Sequence, residues 1–131
     1  MTDKIKLLHI EDNDDFATVF EMFVNLGNKF DITRTKTLTE SIQKDPNEFD
    51  IIICDLWLEQ RDWMATIKEV TKKFNTTPII IVSALDSPEY TRQARKYGIL
   101  DMYNKTQMTD KFISVLQSIK ENTYEPKDTT Y

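Results

Sequence analysis

Five short apolar runs of strand length alternate along this sequence with longer segments of helical period. The runs are Ile5 to Ile10, Phe30 to Thr33, Asp50 to Cys54, Pro78 to Val82 and Leu100 to Tyr103. Strands that alternate with helices form parallel sheets, and the helices cover both faces of such a sheet. A chain of 131 residues is about one domain long and can bury roughly two-thirds of its unfolded surface. The alternation predicts an α/β fold, a single doubly wound domain with a five-stranded parallel sheet and five helices.

Residues that favour helix ends predict where the helices begin and stop. The predicted starts are residue 14 for the first helix, Thr37 with Glu40 as a capping box for the second, Ser87 with Pro88 for the fourth, and Thr109 for the fifth. Apolar residues from Trp63 to Val70 mark the third helix, which is expected to end before Pro78. Gly27 and Gly98 follow the first and fourth helices, where glycine can adopt a left-handed C-terminal cap. Residues 122–131 have no apolar period, so we expect the domain to cover residues 1–121 and the rest to be a disordered tail or the start of a linker.

Composition argues against several classes of function. The net charge of −5 disfavours direct binding to nucleic acid, whose phosphates attract clustered Lys and Arg. The two glycines, Gly27 and Gly98, cannot build a Gly-rich phosphate loop. The single cysteine, Cys54, lies in the most apolar run and cannot form an internal disulfide, which favours a buried thiol in a reducing compartment. The first residues contain no apolar stretch as long as a signal peptide or membrane span, so we expect a cytoplasmic protein without membrane contact.

Polar residues follow four of the predicted strands at the edge where parallel sheets bind ligands. They are Glu11 and Asp12 after the first strand, Asp55 after the third, Ser83 after the fourth and Lys105 after the fifth. Two carboxylates about 4 Å apart repel by roughly 4 kcal/mol at an effective dielectric constant near 20, so three of them require a cation. Carboxylate oxygens suit a hard ion, and Mg²⁺ fits better than zinc. The pattern predicts phosphoryl chemistry, which depends on positioning and charge neutralisation.

Each of these residues also has an ordinary structural explanation. The run "EDNDD" at residues 11–15 could simply place acids at a helix N-terminus. Asp55 could cap a turn, Ser83 could end a strand, and Lys105 could be a solvated surface lysine. The functional interpretation depends on their coincidence at one edge of one sheet.

Four motifs at these strand ends resemble the receiver domain of two-component response regulators. They are "LLHIEDN" at the first strand, "IIICDLWL" at the third, "IIIVSA" at the fourth and "YGILDMYNK" at the fifth, and the resemblance covers about Lys4 to Glu121. The resemblance implies a flavodoxin-like sheet of order 2-1-3-4-5. It also implies a phosphoacceptor switch in phosphorelay signal transduction rather than an enzyme.

The resemblance assigns a role to each site residue. Asp55 would be the nucleophile that takes a phosphoryl group, Ser83 would contact the phosphoryl oxygen, and Lys105 would pair with the phosphate. Mg²⁺ would be bound by Asp12, Asp55 and the backbone carbonyl of Trp57, with Glu11 acting partly through water.

The resemblance also implies the partners. The phosphoryl donor would be a sensor histidine kinase or a phosphotransfer protein. The output would be contact with a downstream protein through the fourth helix, fifth strand and fifth helix. The phosphorylated receiver could also form a homodimer.

The sequence departs from the family pattern at several positions. Glu59 and Trp63 stand where the family usually has proline and glycine, and Met102 stands at the aromatic switch position, next to Tyr103. Lys105 precedes Thr106 rather than proline, and a cis bond there would cost about 3 kcal/mol relative to trans.

Two rival functions stay open, and the departures suggest the first of them. The first is a phosphorylation-independent receiver-like module for protein interaction. The second is a phosphatase with an aspartyl nucleophile, which Trp57 disfavours because an indole cannot serve as the general acid two residues after the nucleophile.

Overall fold

The computed structural model describes residues 3–58, 62–84 and 87–127 of the chain, and it contains one five-stranded parallel sheet. The strands are β1 (Ile5–Ile10), β2 (Phe30–Thr35), β3 (Ile51–Asp55), β4 (Ile79–Ser83) and β5 (Asp101–Asn104). Their spatial order is β2-β1-β3-β4-β5, and all four neighbouring pairs are parallel. Both the predicted fold class and the predicted strand order are confirmed.

Five α-helices cover the two faces of the sheet in the described residues. They are α1 (Asp14–Val24), α2 (Leu38–Ser41), α3 (Trp63–Lys73), α4 (Pro88–Lys96) and α5 (Asp110–Lys120). Buried side chains of α2, α3 and α4 pack in one cluster with residues such as Leu8, Ile52 and Ile81. Those of α1 and α5 pack in a second cluster on the other face, with Leu7, Ile53 and Val82. Because successive strand residues point to opposite faces, each central strand must be apolar throughout.

The predicted helix ends are largely confirmed. The Thr37 hydroxyl accepts from the backbone N–H of Glu40 at the start of α2, and Ser87 accepts from that of Tyr90 at the start of α4. Gly98 closes α4 with a φ of 110°.

The prediction for the end of α1 names the wrong residue. Gly27 lies in a 3-10 turn, Asn25–Gly27, that extends α1, and Asn28 is the left-handed residue, with a φ of 53°. Asparagine tolerates this conformation better than most residues, so the turn begins one residue later than predicted.

The strand register brings the polar residues together. Ile10 is level with Cys54 across β1 and β3, so the residues that follow them, Glu11 and Asp55, lie side by side. Asp55 is level with Val82 on β4, so Ser83 is one residue farther along. The chain reverses its winding direction between β1 and β3, which is where doubly wound sheets open a ligand crevice.

In the described part of the chain, no helix is long and apolar enough to cross a membrane. The division into a domain of residues 1–121 and a disordered tail or linker of residues 122–131 stays a prediction. Tyr124 and Lys127, within that proposed tail, form hydrogen bonds to β5. Glu59, at one of the departures from the family pattern, lies outside the described residues.

We expect replacement of Gly98 by alanine to destabilise the chain by about 1–3 kcal/mol, because a Cβ is strained at positive φ. Gly27→Ala is the matched control, since its φ is not positive and an added Cβ would lie 3.9 Å from its nearest neighbour, the Lys29 side chain. Urea unfolding followed by circular dichroism measures both variants. Equal stability of the two variants would show that the turn after α4 carries no strain.

Candidate functional site

Three carboxylates gather at the carboxyl ends of β1 and β3. One oxygen from each of Glu11, Asp12 and Asp55 lies within 4.8 Å of the other two. Glu11 and Asp55 are buried, with 1% and 8% of their surface exposed, and Asp12 is half-buried. Such an all-oxygen set fits a hard divalent cation. The structure thus brings together the three carboxylates that the sequence analysis selected.

Lys105 supplies a positive charge to the same cluster. Its Nζ lies 2.9 Å from Oε1 of Glu11 and 3.5 Å from Oδ2 of Asp55. The ammonium also lies 4.3 Å from the centre of the Phe16 ring, a cation–π contact that helps to hold it over the carboxylates. Lys105 is therefore part of the site rather than a solvated surface lysine.

The cluster has an electrostatic cost that the lysine only partly offsets. Burial raises the pKa of the Glu11 carboxyl, and the Asp55 carboxylate raises it further, to about 7. Hydrogen bonds from Lys105 and from the backbone N–H of Asn13 act in the opposite direction. Because the effects that raise the pKa of Glu11 outweigh those that lower it, binding of a further positive charge would stabilise the ionised cluster.

Asp55 is mounted rigidly at the end of a fully buried strand. Its Oδ1 accepts from the backbone N–H of Trp57 at 3.2 Å, so Oδ2 is the oxygen that faces Lys105. The preceding Cys54 is completely buried, and burial strongly raises the pKa of its thiol. Cys54 thus has a packing role, as predicted.

Ser83 ends β4 with no exposed surface and is level with Asn104 on β5. The side-chain amide of Asn104 donates to the carbonyl of Ala84 at 3.3 Å, which ties the ends of β4 and β5 together. All peptide bonds in the described residues, including Lys105–Thr106, are trans.

The residues of the run at positions 11–15 have different roles. Glu11 and Asp12 belong to the cluster, whereas Asn13 caps α1 by accepting from the backbone N–H of Phe16 at 2.8 Å. Asp14 turns away and pairs with Arg34 at 3.0 Å and Lys36 at 3.2 Å. The explanation that this run only serves the N-terminus of a helix therefore applies to residues 13–15 and not to Glu11 and Asp12.

The sequence analysis missed Phe16 as a contributor to the site, because an apolar residue in the first turn of a helix reads as core. The Trp57 indole packs against the buried cluster formed by α2, α3 and α4, and its Nε1 is enclosed. The backbone N–H of Trp57 is the group that contacts Asp55 at the site.

The whole arrangement matches a known family. The sequence matches the family described as "Response regulator receiver domain" over residues 7–117. The chain belongs to that family. Receiver domains generally act as switches rather than catalysts and bind a divalent metal at an acidic pocket. In this receiver, Glu11, Asp12 and Asp55 form an acidic cluster.

Curated relatives of this receiver are longer proteins. It is 24% identical over 123 residues to the transcriptional regulatory protein ZraR of Escherichia coli strain K12, and 26% identical over 123 residues to ZraR of Salmonella typhimurium. Each match covers 93% of this chain and 28% of the relative. The chain thus spans a little over a quarter of the length of these relatives.

Solved structures share the fold. The Francisella response regulator 1452 receiver domain aligns with a TM-score of 0.77 and 25% identity, over 92% of this chain and all of that one. A response regulator from Burkholderia pseudomallei, solved with a phosphorylated aspartic acid, a calcium ion and citrate, aligns with a TM-score of 0.74 and 19% identity. That match covers 91% of this chain and 70% of the other.

We expect Glu11→Gln to stabilise the metal-free receiver above pH 7 by about 1–3 kcal/mol, because each unit by which the pKa is raised costs about 1.4 kcal/mol once the carboxyl ionises. The folded-state pKa of Glu11 is raised from 4.5 to about 7, so its contribution to stability is fully present below pH 4.5 and is lost as the pH rises through 7. The glutamine variant lacks this loss.

Urea unfolding at several pH values, with a chelator present, measures the effect. Glu21→Gln, at an exposed position on α1, is the control. A parallel pH dependence in wild type and Glu11→Gln would show that the carboxylate cluster carries no electrostatic cost.

Proposed function

We propose that this receiver accepts a phosphoryl group on Asp55 from a phosphohistidine of a sensor histidine kinase or a phosphotransfer protein. The observation that carries the proposal is the position of Asp55, a buried carboxylate beside two further acids, with Nζ of Lys105 3.5 Å from its Oδ2. A carboxylate held rigidly beside a fixed cation is suited to attack on phosphorus.

The proposed phosphoryl transfer forms one bond and breaks one bond. An Asp55 carboxylate oxygen forms a bond to phosphorus while the bond from phosphorus to the donor's imidazole nitrogen breaks. The electron pair of the broken bond stays on the imidazole, and the product is an aspartyl phosphate. Trp57 helps by holding Oδ1 of Asp55 through its backbone N–H, so the carboxylate cannot rotate freely.

The metal of this site is proposed to be Mg²⁺. Glu11, Asp12, Asp55 and the backbone carbonyl of Trp57 would hold it, with Glu11 acting partly through water. When bound, it would supply positive charge to the carboxylates and to the phosphoryl oxygens.

Ser83 and Lys105 are proposed to read out the phosphoryl group. Lys105 already lies between Glu11 and Asp55, so it can pair with a phosphoryl oxygen after a small movement. The Ser83 hydroxyl, at the end of the neighbouring strand, would hydrogen-bond to the same group. These charge-assisted contacts would bias an equilibrium between two conformations.

The downstream contact is proposed to involve α4, β5 and α5 and a protein target or a second copy of the chain. Several structural neighbours are DNA-binding regulators, including Salmonella typhimurium RcsB, for which conformational dynamism for DNA interaction is described. A cytoplasmic location belongs to the same proposal.

A phosphorylation-independent interaction module is less well supported. Such a protein does not need Glu11, Asp12, Asp55 and Lys105 together. The three carboxylates repel one another, and protein binding alone does not explain why the chain accepts that cost.

We expect the intact mass of the receiver to rise by one phosphoryl group on incubation with acetyl phosphate and Mg²⁺, but not with a chelator. Asp55→Asn should remove the gain, because an amide is a poor nucleophile. Asp62→Asn, at the N-cap of α3, is a matched control outside the cluster. Phosphorylation of Asp55→Asn at wild-type yield would refute the assignment.

We expect Lys105→Ala to impair the phosphate-induced conformational change more than Mg²⁺ binding, because the ammonium contacts the phosphoryl group in this mechanism. Amide shifts on addition of beryllofluoride, compared with shifts on addition of Mg²⁺ alone, separate the two effects. Wild-type beryllofluoride shifts in the variant would make the lysine a bystander.

Met102 replaces the switch aromatic and is fully buried in the cluster shared with Ala94 of α4. Because a thioether side chain adapts to several packings, we expect weak coupling between phosphate and α4. Beryllofluoride should shift amides near Asp55 and Ser83 strongly, and the shifts should fade towards α4. Large two-state shifts throughout α4 would contradict this expectation.

A further inference from the structure

The chain turns back on itself after α5. Asn122 takes a left-handed φ of 60°, and its N–H donates to the carbonyl of Ile119 at 3.1 Å. The N–H of Thr123 donates to the carbonyl of Ser118 at 2.9 Å. This pair of hydrogen bonds is a Schellman motif, which ends a helix and reverses the chain. Residues 123–127 therefore return along β5 instead of continuing away from the domain.

The returning segment binds a buried carboxylate. Asp101, the first residue of β5, has no exposed surface. Its Oδ1 accepts from Nη2 of Arg95 and from the backbone N–H of Met102, both at 2.9 Å. Its Oδ2 accepts from the Tyr124 hydroxyl at 2.5 Å and from the backbone N–H of Lys127 at 2.9 Å. Both Oδ2 contacts thus come from the returning segment, and a buried oxygen that lost them would need new donors.

Aromatic and cationic contacts hold the same segment. The Tyr103 and Tyr124 hydroxyl oxygens are 2.5 Å apart, and since Tyr124 donates to Asp101, Tyr103 is the donor to Tyr124. Nζ of Lys127 lies 4.1 Å from the centre of the Tyr103 ring. The guanidinium of Arg95, in the last turn of α4, also donates to the carbonyl of Lys127 at 2.9 Å. The segment therefore contacts both α4 and β5.

The contacts also cover one position on a free edge of the sheet. β5 is an edge strand, and edge strands expose backbone groups that can pair with another chain. The N–H of Met102 donates to Asp101, and its carbonyl accepts from Nζ of Lys127. Neither backbone group of Met102 is therefore left for a further strand.

We propose that the face along β5 between α4 and α5 is a binding site for an extended peptide segment with a tyrosine three residues before a lysine, and that residues 124–127 of this chain occupy it as an intramolecular ligand. Asp101 is the receptor for the tyrosine hydroxyl and for the backbone N–H of the lysine. Tyr103 receives the lysine ammonium on its ring, and Arg95 holds the lysine carbonyl.

The occupied site has a consequence for the output of the receiver, and this consequence rests on the proposed function. A protein that contacts α4, β5 and α5 must displace residues 124–127 or offer the same groups in their place. A segment tethered by the short turn at Asn122 has an effective concentration in the millimolar range, so it competes strongly with a free partner.

Removal of one hydroxyl tests the site in the full chain. Tyr124→Phe keeps the ring but loses the donor to Asp101. Tyr97→Phe makes the same chemical change at an exposed tyrosine and is the matched control. Amide hydrogen exchange of Lys127 should accelerate roughly tenfold in Tyr124→Phe, as expected for the loss of one hydrogen bond to a charged group, and should not change in Tyr97→Phe. Exchange of Lys127 at the rate of an unstructured chain in wild type would overturn the proposal.

A peptide of sequence NTYEPK, corresponding to residues 122–127 and capped at both ends, tests the site in trans. Because an intramolecular competitor lowers apparent affinity by the fraction of open sites, Tyr124→Phe should bind the peptide about tenfold more tightly than wild type. Amide shifts at Asp101 to Asn104 report the binding, and the same peptide with phenylalanine for tyrosine should bind more weakly.

Equal affinity of wild type and Tyr124→Phe, or no shifts in either at millimolar peptide, would overturn the proposal. The titration uses unphosphorylated protein without Mg²⁺, so its outcome does not depend on Asp55 as phosphoacceptor.

Discussion

Mutual repulsion among Glu11, Asp12 and Asp55 is the constraint around which the carboxyl edge of this sheet is organised. Two neighbouring strands, buried on both faces, deliver these carboxylates within 4.8 Å of one another. The Lys105 ammonium balances part of the charge, yet the pKa of Glu11 stays raised, because burial and Asp55 outweigh the lysine. Because the negative charge at the site exceeds the positive charge, binding of a cation is favourable. With the cation bound, a phosphoryl group can be accommodated and can form new contacts to Lys105.

Much of the fold and of the site could be predicted from the sequence, for a physical reason. Strands buried on both faces must be continuous apolar runs, as at residues 51–54, and the charged residues that end such runs mark the ligand edge. Ser87 and Gly98 correctly predict the two ends of α4, because local hydrogen bonds and backbone strain determine where a helix begins and ends. The left-handed residue after α1 could not be chosen between Gly27 and Asn28, because both residue types tolerate that conformation.

The contacts of residues 123–127 could not be read from periodicity. Without an apolar pattern, residues 122–131 are predicted to be a disordered tail or the start of a linker, and this division stays a prediction. Within it, Tyr124 and Lys127 form hydrogen bonds to the buried carboxylate of Asp101, and Lys127 also accepts one from Arg95. Asn122 followed by Tyr124 and Pro126 is the local signal that could have indicated a turn after α5. Met102 and Tyr103 are adjacent yet face opposite sides of the sheet, so β5 contributes to the cluster that includes α4 and to the one against which Tyr124 packs.

Thermal unfolding at neutral pH, with Mg²⁺ titrated at constant ionic strength, tests most directly the claim that the carboxylates require a cation. A ligand that binds only the folded state stabilises it by about 2.7 kcal/mol at roughly 100 times its dissociation constant. The unfolding midpoint of the wild type should therefore rise steadily with Mg²⁺, and that of Asp12→Asn should rise much less. A wild-type midpoint that responds to MgCl₂ no more than to KCl of equal ionic strength would contradict the account.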